Sequence, residues 1–174
     1  EGLVYLHDSR FAHRDIKPSN ILIHLERNGT FSALLADFGY AIQIGTSSSA
    51  GTSTDDFLQL RRVVSGNHGT RGFKPYELLR AMRSRGGVVM NNAALMRADI
   101  FGLGCVLFFL LSKGKHPFGD DTMSRDEKIL KRSKVSWFDR ISSIQTKTLL
   151  SSTLSHDAEK RPSSKEVLHI LMKR

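Results

Sequence analysis

The sequence predicts an α+β fold that is mainly helical, with short β-strands gathered around one loop near its start. Three observations carry this. Brief β-prone runs separated by turn signals precede Gly45, helical periodicity takes over after Gly72, and no internal repeat interrupts either region. The expected strands are Ile21 to His24, Leu34 to Ala36 and Ala41 to Ile44, punctuated by the turn formers Asn28-Gly29 and by Asp37-Phe38-Gly39. Gly45 to Thr54 reads GTSSSAGTST, has nothing large to bury, and is expected to be a mobile surface loop.

Helices are expected at Tyr76 to Arg83, Arg97 to Ser112, Arg125 to Lys131, Ile141 to Leu154 and Ser163 to Lys173. The one around Leu103 is apolar nearly all round, which marks a buried central helix and not an amphipathic surface one. Its apolar run, Ile100 to Leu111, falls short of the ~20 residues that cross a bilayer, so no membrane span is expected. The last helix opens after Pro162, and Ser163 with Glu166 three residues on has the spacing of a capping box.

Composition bounds the classes. The 174 residues suit one domain, and 40% apolar with 25% charged residues argue against wholesale disorder. Gly and Pro, 14 and 4 residues, show no triplet period, which removes collagen-like chains. One cysteine, Cys105, excludes an internal disulfide and a cysteine-based zinc site; it sits in the apolar helix and reads as a small core residue. The chain starts at Glu1 without methionine or a basic-then-apolar leader, so it is expected to be a piece of something longer.

The formal charge is +9. Between Leu58 and Met90, Arg61, Arg62, Arg71, Lys74, Arg80, Arg83 and Arg85 face a single Glu77, so the excess is concentrated. A solvated face, attraction to phosphorylated loops or an acidic partner, and RNA contact all remain open for this window. The missing aromatic–basic interleaving speaks against a dedicated nucleic-acid surface.

Chemistry concentrates in His13-Arg14-Asp15-Ile16-Lys17-Pro18-Ser19-Asn20, ahead of the apolar Ile21-Leu22-Ile23. One compact loop offers a carboxylate, an amine and an amide. These are what phosphoryl transfer from a magnesium nucleotide requires: an acid to orient a hydroxyl and take its proton, an amine to neutralise phosphate, and an amide oxygen for a hard cation. Asp37, before Phe38 and the permissive Gly39, supplies a second oxygen ligand.

With these residues in hand, the chain resembles a eukaryotic protein kinase, specifically its catalytic C-terminal lobe. His13-Arg14-Asp15, Lys17 and Asn20 at fixed spacing, then Asp37-Phe38-Gly39, Gly69-Thr70, Glu77, Asp99, Gly104, His116-Pro117-Phe118 and Arg161-Pro162 follow in family order. The resemblance implies a protein-kinase-like α+β fold with the N-lobe absent, a domain covering residues 1–174, a catalytic loop at 13–20 and an activation segment at 37–77. It implies Asp15 as the catalytic aspartate, Lys17 as a catalytic, phosphate-contacting lysine, and Asn20 and Asp37 as Mg2+ ligands for bound ATP. Lys17 between Asp15 and Asn20 is the serine/threonine pattern, and Thr70 matches the threonine that supports both.

The same resemblance implies structural and regulatory roles. His13 packs beneath Phe38, Asp99 holds the catalytic-loop backbone, Glu77 pairs with Arg161 although Pro75-Tyr76-Glu77 keeps only the glutamate of the usual Ala-Pro-Glu, and Arg14 pairs a phosphate on the activation segment. Candidate acceptors for that phosphate are Ser47, Ser48, Ser49, Thr52, Ser53, Thr54 and Ser65.

A narrower resemblance rests on Ala98-Asp99-Ile100-Phe101-Gly102-Leu103-Gly104-Cys105-Val106, Lys113-Gly114-Lys115-His116-Pro117-Phe118-Gly119, Gly69-Thr70-Arg71-Gly72-Phe73 and Lys160-Arg161-Pro162-Ser163. These look like the inositol-requiring-enzyme family of endoplasmic-reticulum stress sensors. That likeness implies trans-autophosphorylation between paired copies on the cytosolic side of the reticulum membrane, with a ribonuclease domain following. Its alternative is a nucleotide-gated kinase-fold scaffold that activates the attached ribonuclease, phosphoryl transfer being secondary. The glycine-rich phosphate loop and its Lys/Glu partners are absent from this sequence, which leaves nucleotide binding by the chain alone in question.

Overall fold

A computed structural model describes residues 1–44, 69–84, 90, 92–133 and 141–173. Short strands and short helices come first: α1 (Gly2–Asp8), β1 (Phe11–Ala12), β2 (Ile21–Leu25), β3 (Phe31–Leu35) and β4 (Ile42–Gln43). Helices alone follow: α2 (Tyr76–Arg83), α3 (Asn92–Leu111), α4 (Arg125–Leu130), α5 (Ile144–Thr153) and α6 (Ser164–Met172), among the described residues. Two antiparallel pairs form, β1 with β4 and β2 with β3, the latter in register from Ile21 opposite Leu35 to Leu25 opposite Phe31. The hairpin turns at Gly29, whose φ of 80° lies where only glycine is unstrained.

Helix α3 organises the core. It supplies Leu95 to a cluster with Ala12, Ile44, Ala81 and Met90, supplies Ile100 and Val106 to one with Leu3, Ile16, Leu149 and Val167, and supplies Phe101 and Cys105 to a third with Leu79, Phe118, Ile129 and Leu154. An apolar circumference is therefore used on every side, each buried large side chain contributing about 1.5–3 kcal/mol. Cys105 is fully buried, and burial pushes its thiol well above the ordinary range, as a core residue requires.

Several boundaries differ from expectation. Helix α3 starts at Asn92, five residues before Arg97, because Leu95 is drawn into the first core cluster. At 20 residues it is also long and apolar enough to cross a membrane, so length alone does not exclude a span; 56% of that window is instead buried inside this fold. Helix α5 begins at Ile144 and not Ile141, since the Ser143 side chain accepts the Thr146 N–H and caps it there. Strand β3 begins at Phe31, where pairing with Leu25 extends the hairpin, and β1 is a two-residue strand with no sequence signature. The capping box forms as expected, Ser163 and Glu166 exchanging backbone and side-chain hydrogen bonds at the start of α6. The serine-rich tract and all seven candidate phosphoacceptors lie outside the described residues.

Candidate active site

The loop between β1 and β2 is fixed from below by one buried carboxylate. Asp99, on α3, accepts the backbone N–H of His13 through Oδ2 and of Arg14 through Oδ1, both at 2.7 Å, and the ring N–H of His7 at 3.0 Å. A carboxylate this buried is tolerable only when its oxygens are satisfied, and these are. Arg14 then adopts φ of 67°, a left-handed conformation held by its neighbours. Helix α3 presses directly on the loop: a Cβ at Gly102 would stand 2.7 Å from the Ile16 carbonyl oxygen.

Above this support, four side chains converge. Lys17 Nζ donates to Asp15 Oδ2 at 2.6 Å and to Thr70 Oγ1 at 2.7 Å. Thr70 donates both its N–H and its hydroxyl to Asp15 Oδ1, each at 2.9 Å. Asn20 Nδ2 donates to the Asp15 carbonyl at 3.0 Å and to its Oδ2 at 3.2 Å. Burial works to raise the Asp15 carboxyl, but the hydrogen bonds from Lys17 and Thr70 and the lysine charge outweigh it and hold it below the ordinary carboxylate range. Asp15 is thus an ionised acceptor at neutral pH.

Asp37 joins this site through its neighbours. His13 donates its Nε2–H to the Ala36 carbonyl at 3.1 Å and packs its ring 5.0 Å from that of Phe38, so the residues flanking Asp37 are tied to the catalytic loop. Asp37 itself has φ of 62°, is exposed, and accepts only a long 3.4 Å bond from the Gly39 N–H among the described residues. With both Asn20 amide hydrogens directed at Asp15, the amide oxygen has no protein partner among the described residues. The donor set of Asn20 and Asp37, one neutral amide oxygen and one open carboxylate, fits a hard divalent cation.

Farther out, Glu77 and Arg161 pair as expected. Arg161, with no solvent exposure, also donates to the carbonyls of Ser155, Arg97 and His156 and lies 5.2 Å over the Phe101 ring. Arg14 directs Nε to the Tyr40 carbonyl, while its Nη1 is a buried donor without a partner among the described residues.

Sequence reasoning missed three contributors. His7, to which the sequence assigned no role, is 8% exposed and bound to Asp99. Lys74, counted in the basic window, is 5% exposed, caps the Gly69 carbonyl at 2.8 Å, and is held below the ordinary lysine range by burial. Asp126, on α4, accepts the Gly72 N–H at 2.8 Å and anchors the segment carrying Thr70. No spacing in the sequence announces the contacts of His7 and Asp126, which span 92 and 54 positions.

The family model for the protein kinase domain matches residues 1–171. The serine/threonine-protein kinase/endoribonuclease IRE1b of Arabidopsis thaliana is 35% identical over 97% of this chain, and IRE1 of Oryza sativa is 32% identical over the same share. The probable serine/threonine-protein kinase irlB of Dictyostelium discoideum is 30% identical over 97% of the chain. The chain spans 17%, 16% and 10% of the lengths of these three relatives.

Proposed function

The chain belongs to the protein kinase family, and on that premise we propose that it is the catalytic lobe of a serine/threonine kinase that transfers the γ-phosphoryl group of ATP to a protein hydroxyl. The observation that carries the proposal is the Asp15 carboxylate, ionised and gripped by Lys17 and Thr70 on the loop that Asp99 holds rigid. The substrate hydroxyl oxygen forms the new bond to the γ-phosphorus, the bond from that phosphorus to the β–γ bridging oxygen breaks, the hydroxyl proton passes to Asp15, and ADP leaves. Lys17 carries positive charge to the transferring phosphoryl group. Asn20 and Asp37 are the residues that would hold Mg2+, which when bound neutralises phosphate charge. Arg14, whose Nη1 has no partner among the described residues, suits a phosphate on the activation segment at 37–77.

On this reading a further lobe of the kinase packs against the β2–β3 hairpin. On the β2–β3 hairpin Leu22 and Leu34 oppose each other and Leu25 opposes Phe31, all more than half exposed. The first pair lies on one face of the ribbon and the second on the other, and exposed apolar side chains on both faces suit a hairpin that further protein covers. The names of the relatives support placing the parent among serine/threonine kinase/endoribonucleases, and we extend this reading to phosphorylation of a second copy of itself on the cytosolic side of the endoplasmic-reticulum membrane. Those double names also favour a second reading, in which the nucleotide-bound kinase fold switches a ribonuclease and transfer is secondary.

The test is transfer of label from γ-labelled ATP to serine or threonine of a protein or peptide substrate by the full-length protein, with and without divalent cation. Cation-dependent label on hydroxyl oxygen is expected; nucleotide binding without transfer would overturn the catalytic reading and leave the scaffold.

A further inference from the structure

Helix α4 ends in a left-handed turn that glycine would make without strain, yet the residue there is an arginine. Arg132 has φ of 53°, its N–H donates to the Ile129 carbonyl at 3.1 Å, and the Ser133 N–H donates to the Lys128 carbonyl at 2.9 Å. A strained position occupied by a long cationic side chain points to a use for that side chain. Its guanidinium carbon lies 5.3 Å from the centre of the Tyr76 ring, on α2.

Arg80, one turn along α2 from Tyr76, brings a second guanidinium carbon to 5.7 Å from the same ring centre, and its Nη1 donates to the Tyr76 hydroxyl at a long 3.4 Å. Both arginines are exposed, and neither pairs with a carboxylate among the described residues. An aromatic ring attracts a guanidinium without cancelling its charge. Two like charges are therefore held against one ring, beside a hydroxyl that still has a proton to donate. The ring itself is held in place by His156, edge-on at 5.9 Å, whose Nε2 in turn bonds the Ile129 carbonyl of α4 at 2.9 Å.

We propose that Arg80, Arg132 and the Tyr76 hydroxyl form a binding site for one phosphate monoester carried by a protein, a phosphoserine or phosphothreonine. Such a dianion answers both guanidiniums at once and accepts the hydroxyl proton. The choice of a protein phosphate rests on the kinase reading above, whose reaction makes phosphoserine and phosphothreonine. A nucleic-acid strand fits less well. The Arg83–Glu127 pair sets a carboxylate between the same two helices, which breaks any basic track, and the Tyr76 ring is already engaged by Arg80, Arg132 and His156 instead of being open to stack a base.

The test titrates the full-length protein, by fluorescence anisotropy, with a labelled glycine–alanine peptide built around one phosphoserine, with its serine counterpart, and with a labelled oligouridylate. The wild-type protein is expected to bind the phosphoserine peptide about tenfold more tightly than the serine one, the scale of two exposed charge pairs, with the difference shrinking at high salt. Arg132→Gly removes the guanidinium where glycine suits the backbone, so it should raise the urea-unfolding midpoint while abolishing the preference. Arg80→Gln should abolish it too, whereas Arg83→Gln, at the arginine paired with Glu127, should leave it intact, and none of the three should change oligouridylate binding as far. Equal binding of the two peptides, or a preference that survives Arg132→Gly combined with Arg80→Gln, overturns the inference. Oligouridylate binding that falls with Arg132→Gly as far as phosphoserine binding does also overturns it, in favour of a nucleic-acid site. The kinase reading is tested separately by label transfer from ATP in the same variants, for which unchanged rates are expected.

Discussion

Arg161 grips Glu77 with both terminal nitrogens, Nη1 to Oε1 at 2.6 Å and Nη2 to Oε2 at 2.9 Å, tying the end of the activation segment to the turn before α6 across 84 positions. Arg161 has no solvent exposure, so its charge depends on this partner. Glu77→Gln leaves a buried guanidinium half-compensated and should cost about 3 kcal/mol in urea unfolding. Arg161→Lys, which cannot make the fork, should cost a similar amount.

Asp99 governs the loop conformation through two backbone N–H groups. Asp99→Asn keeps one acceptor oxygen but turns an amide donor toward a second N–H, so the catalytic loop should loosen. The expected result is at least a tenfold fall in kcat with nucleotide affinity changed less, measured by initial rates alongside nucleotide titration.

Gly102 and Gly104 let α3 approach its neighbours. An alanine Cβ at Gly102 would meet Ile16 at 2.7 Å, and one at Gly104 would meet Thr153 Oγ1 at 2.7 Å. Each substitution should destabilise by about 1–3 kcal/mol. Gly102→Ala should additionally lower activity, because the atom displaced is backbone of the catalytic loop; Gly104→Ala displaces a side chain on α5 and should spare activity in the protein that remains folded.

His116 makes stability depend on pH. Burial, reinforced by the Arg125 charge, holds its pKa down to about 3, and its Nδ1 accepts the Phe118 N–H. Between about 3 and the ordinary value near 6.5 the unfolded chain binds a proton that the folded chain does not. This contribution is therefore fully present above pH 6.5 and lost as pH falls, at up to about 1.4 kcal/mol per unit. His116→Gln should flatten the decline between pH 6.5 and 5 in urea-unfolding midpoints, whatever it costs at pH 7.

The contrast between what the sequence announced and what it concealed is physical. The bounds of α2, the capping box at Ser163 and the spacing of Asp15, Lys17 and Asn20 are local, so residue order alone carries them. The early start of α3 and the role of His7 follow from packing against segments tens of positions away. His7 is the clearest case: it is 8% exposed and bound to Asp99, 92 positions away.

The most direct measurement of the central claim is phosphoryl transfer by full-length Asp15→Asn under single-turnover conditions, with nucleotide binding measured in parallel. The isosteric amide keeps one acceptor oxygen for Thr70, sets a donor against Lys17 and Asn20, and cannot take the hydroxyl proton. A loss of about 10²- to 10⁴-fold in the transfer rate with nucleotide affinity preserved is the predicted result. A transfer rate within a few-fold of wild type would contradict the assignment of Asp15.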